Sequence, residues 1–597
     1  MISSPNEILK DTFGYDEFRP GQLQIIQNVL DGKRTLGIMP TGGGKSVCYQ
    51  IPALMFSGVT LVVSPLISLM KDQVDGLNEM NIPATFINST LNYIEANERM
   101  RYIESGAVKL LYVAPERIEN PDFYNWLTNL PIDLIAVDEA HVLSSWGHDF
   151  RPSYLNIIEP LNQLPTNPPI LALTATATNR VQEDLMNILG INAADVVKTG
   201  FERSNLALKI ERGVNKPRYI LEYVQAHPGE AGIIYAGKRK DVEKIYEDLK
   251  DKGVKVGKYH AGLDDDVRHQ MQEAFLFDEV DVIVATNAFG MGINKTNVRY
   301  VIHYSIPGTI ESYYQEFGRA GRDGLPSEAI LLYSPADLRL HRFFIEQSDA
   351  DDEYKQSLTE KLREMNQYAQ TELCLMNYIL KYFGETKTEP CGHCSNCLDE
   401  RPEHDVTSET QKALSCVVRM DQKYGKKTVS RVLAGKPDVA NDWRNFGKLS
   451  TFGLMHDETL KFIEEFIDFL TANDYLRTSE GPYPLIQLTH KGLKVLKGEL
   501  EVKRRETKIT QARRPIMDDD GNYDQQLFER LRKLRLNLAH AADVPPFVIF
   551  SDRTLRDMAQ IMPKNSSEFL TVSGVGHAKL ERYGDKFIHE IKKYQAS

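Results

Sequence analysis

A chain of 597 residues is too long for a single hydrophobic core and predicts three to five domains. At 42% hydrophobic and 26% charged residues it reads as a globular protein, with no apolar run of the roughly eighteen residues that a membrane helix needs. A net charge of −12 argues against nucleic-acid binding through general electrostatics and leaves local patches for it, such as residues 523–597, where 12 Lys and Arg stand against 9 Asp and Glu. Six cysteines do not make a disulfide scaffold in so long a chain. The first residues lack the basic and apolar regions of a signal peptide, and a reducing cytoplasm is expected.

In chain order, the first apolar run is Thr35-Leu36-Gly37-Ile38-Met39, a predicted buried strand. It ends at Pro40-Thr41-Gly42-Gly43-Gly44-Lys45-Ser46. There the glycines can open backbone N–H groups toward phosphates, Lys45 can reach the β- and γ-phosphates, and the Ser46 hydroxyl can ligate Mg²⁺. Further strands are predicted at Leu61-Val62-Val63-Ser64, Leu110-Leu111-Tyr112-Val113 and Ile170-Leu171-Ala172-Leu173. The run Leu134-Ile135-Ala136-Val137 delivers Asp138-Glu139-Ala140-His141 to a strand's C-terminal end, where open α/β sheets bind ligands. Asp138 and Glu139 there suit a magnesium ion and an attacking water. Strands alternating with helices predict a parallel sheet covered on both faces.

The rhythm repeats between about residues 231 and 333, at Gly232-Ile233-Ile234-Tyr235, Val282-Ile283-Val284-Ala285, Val301-Ile302-His303-Tyr304 and Ala329-Ile330-Leu331-Leu332-Tyr333. Two α/β lobes, one with the phosphate loop, predict a nucleotide bound between them. The second lobe then has to supply charge to that cleft, and Arg319 and Arg322 are the candidates. Arginines so placed are worth ~10³–10⁵ in phosphoryl-transfer rate. Surface pairing with Glu316 and Asp323 is the competing reading.

From 338 to 383 the pattern is helical, and it ends at Cys391-Gly392-His393-Cys394-Ser395-Asn396-Cys397. With Cys374 these thiols can close a tetrahedral Zn²⁺ site; His393 as a fourth ligand, a disulfide or an iron–sulfur cluster are the rivals. Cys48 and Cys416 sit in apolar contexts and read as core. Residues 408–498 read as helices followed by a hairpin, split around Ser479-Glu480-Gly481-Pro482, a winged-helix pattern. A charged linker follows, then a small helical unit with a glycine turn, Val572-Ser573-Gly574-Val575-Gly576, whose N–H groups either hold a DNA phosphate or merely join two helices.

Taken in order, these pieces resemble a RecQ-family DNA helicase of superfamily 2 over nearly the whole chain. Met39 stands where the strict phosphate-loop template has Gly, and Thr41-Gly42-Gly43-Gly44-Lys45-Ser46 follows the helicase form. Phe13-Gly14-Tyr15-Asp16-Glu17-Phe18-Arg19-Pro20-Gly21-Gln22 resembles the family's adenine-recognition segment, which implies base contacts by Tyr15, Arg19 and Gln22 and a preference for ATP. The residues after His141 resemble its aromatic-rich loop, implying that Trp146 and Phe150 stack unpaired bases, at ~1–3 kcal/mol each, and that Arg151 grips phosphate. Leu173-Thr174-Ala175-Thr176-Ala177 resembles the motif that couples ATP state to lobe movement, and Ala285-Thr286-Asn287-Ala288-Phe289-Gly290-Met291-Gly292-Ile293-Asn294 resembles a second-lobe motif touching both DNA backbone and nucleotide.

The resemblance implies two tandem RecA-like parallel-sheet lobes of an α/β class, at 1–205 (ATP binding) and 206–340. A helical zinc-binding domain (341–406), a winged helix (407–498), a linker (499–521) and a small all-α HRDC-like domain (522–597) follow. It implies Lys45, Asp138, Glu139, His141, Arg319 and Arg322 as the catalytic set, with ATP, Mg²⁺ and structural Zn²⁺ as cofactors. The implied activity is ATP-dependent 3′→5′ translocation on single-stranded DNA with unwinding of forked or duplex DNA, in recombination, repair and stalled-fork processing. A single-stranded-DNA-binding protein is an expected partner, a membrane is not, and the expected location is cytoplasmic, nucleoid-associated in a bacterium. Two other readings stand beside it: a duplex translocase that remodels complexes without separating strands, and a scaffold with a vestigial ATPase.

Overall fold

The computed structural model describes residues 4–65, 67–144, 147, 152–290, 295–348, 350–440, 446–479, 484–505 and 523–596. In the first lobe the strands are β1 (Thr35–Ile38), β2 (Val59–Val63), β3 (Ala84–Ile87), β4 (Leu110–Val113), β5 (Ile132–Val137), β6 (Ile170–Thr174) and β7 (Val196–Lys198). They lie in the order β3-β4-β2-β5-β6-β1-β7, all parallel. Strands β1, β2, β4 and β6 are buried along their whole length, as a sheet with helices on both faces requires. Adjacency of β5, β6 and β1 brings three loops to one edge: the acidic segment, Thr174 to Thr176, and the phosphate loop.

The second lobe holds β8 (Leu206–Arg212), β9 (Ala231–Tyr235), β10 (Val256–Tyr259), β11 (Val282–Ala285), β12 (Val298–His303) and β13 (Ser327–Tyr333). Its order is β10-β11-β9-β12-β13-β8, again parallel throughout. The outer edge of β8 is covered by the cysteine loop. Ser395 donates its N–H to the Leu208 carbonyl at 2.8 Å, and its Oγ accepts from Ile210 N–H at 3.2 Å. A bare sheet edge is a template for aggregation, so this cap is protective. Arg212 adds bonds to the carbonyls of Ala369 and Thr371, at 2.8 and 3.0 Å, at the end of the helix Asp352–Gln370.

Helices Thr407–Arg419, Lys426–Leu433 and Leu460–Ala472 pack with a hairpin, Leu476–Thr478 against Ile486–Leu488, around their own core. The hairpin tip at 480–483 lies outside the described residues. Lys503–Arg505 pairs antiparallel with Glu403–Asp405, so the chain just beyond Gly498 is stitched back to the start of this unit. The helices Gln525–Ala542, Asp552–Ile561 and Asp585–Gln595 form the last core. Among the described residues no helix is long and apolar enough to cross a membrane.

This last unit docks on both lobes. Toward the first, Gly574 N–H donates to Gly14 O at 2.9 Å, Arg582 pairs with Glu79 at 2.7 Å, and the Tyr583 hydroxyl donates to the same carboxylate at 2.6 Å. Toward the second, the His540 ring stacks on Phe277 at 5.5 Å. Despite its burial, Asp278 is held below the usual carboxylate range by Lys295, and by Arg535 of the docked unit. The glycine turn is therefore a docking element: the Gly574 N–H that a phosphate would need is taken by a protein carbonyl. A Cβ at Gly576 would sit 2.6 Å from Thr12 O, so the fit demands glycine. Gly576→Ala is expected to release the C-terminal unit with little loss of helix content; small-angle scattering showing a larger radius of gyration than wild type checks this.

Candidate active site and metal centre

Both lobes contribute to one cavity of about 400 Å³. Of the residues assigned to nucleotide or catalysis from the sequence, Tyr15, Arg19, Gln22, Thr41, Gly42, Gly44, Lys45, Ser46, Asp138, Glu139, His141, Arg319 and Arg322 all line it, and Gly43 does not. The phosphate loop leaves β1 through Gly42 and Gly44, both left-handed with φ of 72° and 78°. Lys45 Nζ lies 3.5 Å from Glu139 Oε1. Asp138 is buried at the end of β5. Burial, then neighbouring Glu139, pushes its carboxyl up to about 6, while Lys45 and the Glu139 N–H pull the other way.

Glu139 itself has φ of 47°, the left-handed region that costs a non-glycine residue roughly 1–2 kcal/mol. Such strain persists where the surroundings over-determine the backbone, commonly at functional sites. The turn at Glu139 starts the short helix Ala140–Leu143 and lets His141 face back into the cleft. Gln315 Nε2 donates to His141 Nε2 at 3.4 Å and to Thr176 Oγ1 at 3.3 Å. His141 Nε2 is then the acceptor, and the ring proton sits on Nδ1, 3.4 Å from Glu139 Oε2 and 3.1 Å from Thr174 Oγ1. Gln315 of the second lobe is thus hydrogen-bonded to His141, whose ring lies beside the strained acid.

Gln315 lies on the helix Ile310–Phe317, which ends at the turn carrying the two arginines. Arg319 is 7% exposed, and its buried Nε has no hydrogen-bond partner among the described residues. Burial, followed by Arg319 and Arg203, pushes Arg322 down to about 9. Crowded cations facing a cavity with a lysine-bearing phosphate loop form a site for a polyanion. Glu316 and Asp323, the expected surface partners, are engaged elsewhere: Glu316 with His303 at 2.9 Å and Asp323 with Arg299 at 2.7 Å.

In the segment expected from the sequence to recognise the base, Tyr15 is exposed at the cavity mouth. Gln22 is buried, and its amide serves the phosphate loop: Nε2 donates to Gly44 O at 3.0 Å, while Oε1 accepts from Arg19 N–H at 2.8 Å. Arg19 also donates to Gly42 O. Trp146, Phe150 and Arg151 lie outside the described residues, as do Met291 to Asn294. The intervening Gly147 packs so tightly that a Cβ would sit 2.4 Å from His141 O, which fixes the start of that loop to the acidic segment. Sequence reasoning gave no role to Gln315, four residues before Arg319, and it missed Arg203 altogether. Both act through partners more than a hundred residues away, so no local pattern signals them.

The ligand atoms of Cys374, Cys391, Cys394 and Cys397 lie within 4.8 Å of one another. Cys394 and Cys397 Sγ are 3.4 Å apart and Cys391 and Cys397 Sγ 3.9 Å. Those separations bracket the ~3.8 Å edge of a tetrahedron with Zn–S bonds of about 2.3 Å, and they exceed the ~2.05 Å of a disulfide. Backbone N–H groups of Leu375 and Cys391 point at Cys394 and Cys374 sulfur, at 3.4 and 3.2 Å, which suits thiolates. His393 is outside the cluster; its Nδ1 bonds the Cys391 carbonyl at 2.7 Å. That geometry favours four sulfurs over three plus histidine.

Comparison with known proteins accords with this arrangement. Residues 19–185 match the DEAD/DEAH box helicase family, 215–324 the helicase conserved C-terminal domain, 335–398 the RecQ zinc-binding family, 400–513 the RQC domain and 524–591 the HRDC domain. The ATP-dependent DNA helicase RecQ of Bacillus subtilis is 49% identical over 100% of this chain and 99% of that one. The chain belongs to the RecQ helicase family. The RecQ protein of Haemophilus influenzae is 40% identical over 100% and 97% of the two chains, and the Arabidopsis thaliana ATP-dependent DNA helicase Q-like 2 is 33% identical over 100% and 84%. The RecQ zinc-binding match contains all four clustered cysteines, and the set supports Zn²⁺. Cys394→Ser is expected to abolish stoichiometric zinc by elemental analysis and to lower the thermal midpoint by roughly 5 °C or more, because metal binding is folding energy for such a module.

Proposed function

We propose that this chain is an ATP-dependent DNA helicase that moves 3′→5′ along single-stranded DNA and separates duplex strands. The observation that carries it is the shared cavity, lined by the phosphate loop and acids of one lobe and by Arg319 and Arg322 of the other. ATP would sit there with Lys45 on its phosphates, Thr41, Gly42, Gly43 and Gly44 around them, and its base toward Tyr15, Arg19 and Gln22. Ser46 and Asp138 would hold Mg²⁺, which neutralises phosphate charge when bound. Glu139 orients and deprotonates the attacking water, and Arg319 and Arg322 stabilise charge on the transferring phosphoryl group. His141 and Gln315 relay the position of the second lobe to Glu139.

ATP favours closed lobes and its hydrolysis products favour open ones, so nucleotide state can bias affinity for single-stranded DNA at each step. Trp146 and Phe150 would stack bases and Arg151 would hold phosphate, on a loop rooted beside His141. The winged helix would hold the duplex with its hairpin at the fork, and the zinc domain would brace it. The domain boundaries inferred from the sequence give each part its role, and the C-terminal unit bridges the two lobes. A single-stranded-DNA-binding protein, sharing the unwound product, is the expected protein partner. Recombinational repair and the processing of stalled forks follow as the setting.

Glu139→Gln is expected to lower DNA-stimulated ATP turnover by ~10²–10⁴-fold while nucleotide binding persists. Unchanged turnover would remove Glu139 as the base. Wild type should unwind a duplex with a 3′ tail and leave its 5′-tailed counterpart intact. ATP turnover without strand separation on either would favour the duplex translocase. Trp146→Ala should retain single-stranded DNA binding yet lose most of the stimulation of ATP hydrolysis by DNA.

A further inference from the structure

The two lobes are joined by a short crossing between β7, which ends at Lys198, and β8, which begins at Leu206. Arg203 lies on it, 8% exposed, with its guanidinium spread between the lobes. Nη1 donates to the Thr41 carbonyl at 2.6 Å, directly before the glycines of the phosphate loop. Nη2 donates to the carbonyls of Ala320 and Gly321 at 3.1 and 2.9 Å, and Nη1 reaches that of Gly318 at 3.4 Å. These carbonyls flank Arg319 and precede Arg322. They also follow the helix Ile310–Phe317, whose C-terminal end carries partial negative charge and suits a cation. Two residues on, Asn205 Nδ2 holds Gly321 O at 2.8 Å and Leu325 O at 2.9 Å, gripping the same turn.

Loop and turn are in direct contact at this point. A Cβ at Gly318 would lie 2.0 Å from Thr41 Oγ1, and one at Gly42 would meet Arg203 Nη1 at 3.4 Å and Arg322 Cα at 3.5 Å. An arginine is the fitting residue, because its planar fork donates in fixed directions to several carbonyls at once, whereas lysine offers a point charge. We propose that Arg203 is a positioning residue that locks the arginine-bearing turn of the second lobe onto the phosphate loop, so that Arg319 and Arg322 address the triphosphate only while the lobes are together. Opening the cleft breaks the bond to Thr41 O and lets the turn move away from the phosphate loop. The three arginines repel one another, and a bound triphosphate relieves that repulsion, so substrate favours the locked arrangement.

The inference rests on the nucleotide reading of this cleft, and the experiment separates the two. ATP turnover with saturating single-stranded DNA and nucleotide affinity by a fluorescent ATP analogue are measured for wild type, Lys45→Ala, Arg203→Lys, Asn205→Ala, Arg322→Ala and the Arg203→Lys/Arg322→Ala double variant. Turnover that survives in Lys45→Ala overturns the nucleotide reading itself. Given its loss there, Arg203→Lys is expected to lower kcat on the order of 10²-fold with KM and nucleotide affinity changed less than about threefold. Asn205→Ala should show a smaller loss of the same kind. Because Arg203 acts through the arginine turn, the double variant should be no slower than Arg322→Ala alone. A kcat for Arg203→Lys within about threefold of wild type, a parallel loss of nucleotide affinity, or losses that multiply in the double variant would each overturn the proposal. Should Arg203→Lys fail to fold, Asn205→Ala with its own double variant decides by the same criterion.

Discussion

The cleft is organised around positive charge that is buried before any substrate arrives. Lys45 comes from one lobe, Arg319 and Arg322 from the other, and Arg203 from the crossing between them. Desolvation and mutual repulsion work against such a cluster, and burial lowers Arg322 and Arg203 alike. The protein offsets this with dipoles more than with opposite charges, placing Arg203 among carbonyls at a helix end. A site held by neutral acceptors keeps its cations available, whereas carboxylate partners would compete with phosphate. The acids that are present, Asp138 and Glu139, belong to the phosphate-loop lobe, where Glu139 reaches Lys45 at 3.5 Å.

Parallel sheets make this arrangement possible at low cost. Each lobe presents the C-terminal ends of its central strands, so loops of different sequence origin meet at one edge. Because β6 lies between β5 and β1, Thr174 and Thr176 sit between acid and phosphate loop and can sense both. The zinc module serves the second lobe as a clamp along β8, joined through Ser395 and stacked through Phe383 on Phe201 at 4.3 Å. Phe201 belongs to the interlobe crossing, so the metal centre also steadies the segment that carries Arg203.

Much of this was legible in the sequence where structure is local. Strands buried in the middle of a parallel sheet read as unbroken apolar runs, and β1, β2, β4, β5, β6, β9, β11, β12 and β13 were found that way. The strands that escaped, β3, β7, β8 and β10, are the outermost ones of the two sheets. An edge strand needs less apolar surface: β10 reads Val-Gly-Lys-Tyr, and β8 carries Lys209, tucked against Glu328 at 2.6 Å. Phosphate loop, acidic motif and cysteine spacing were legible because each motif is a few residues long. Arg203, Gln315 and the docking role of Gly574 were not, since each is defined by a partner far along the chain. The turn at Gly574 shows the limit well, because its conformation was foreseen and its occupant was not.

The docking of the C-terminal unit joins residues 504 positions apart, such as Tyr583 and Glu79. Synthesis runs from the N-terminus, so the surface around Gly14 and Glu79 emerges first and its cover emerges last. At ~5–20 residues per second the first lobe waits about half a minute or longer with that face open to solvent. It must therefore be stable and soluble alone, with polar groups such as the Gly14 carbonyl and the Glu79 carboxylate hydrated in the interval. The order of emergence places this docking late in biogenesis: a nascent chain has a complete phosphate loop, and the Arg203 contacts that join it to the second lobe, long before the C-terminal unit bridges the two lobes.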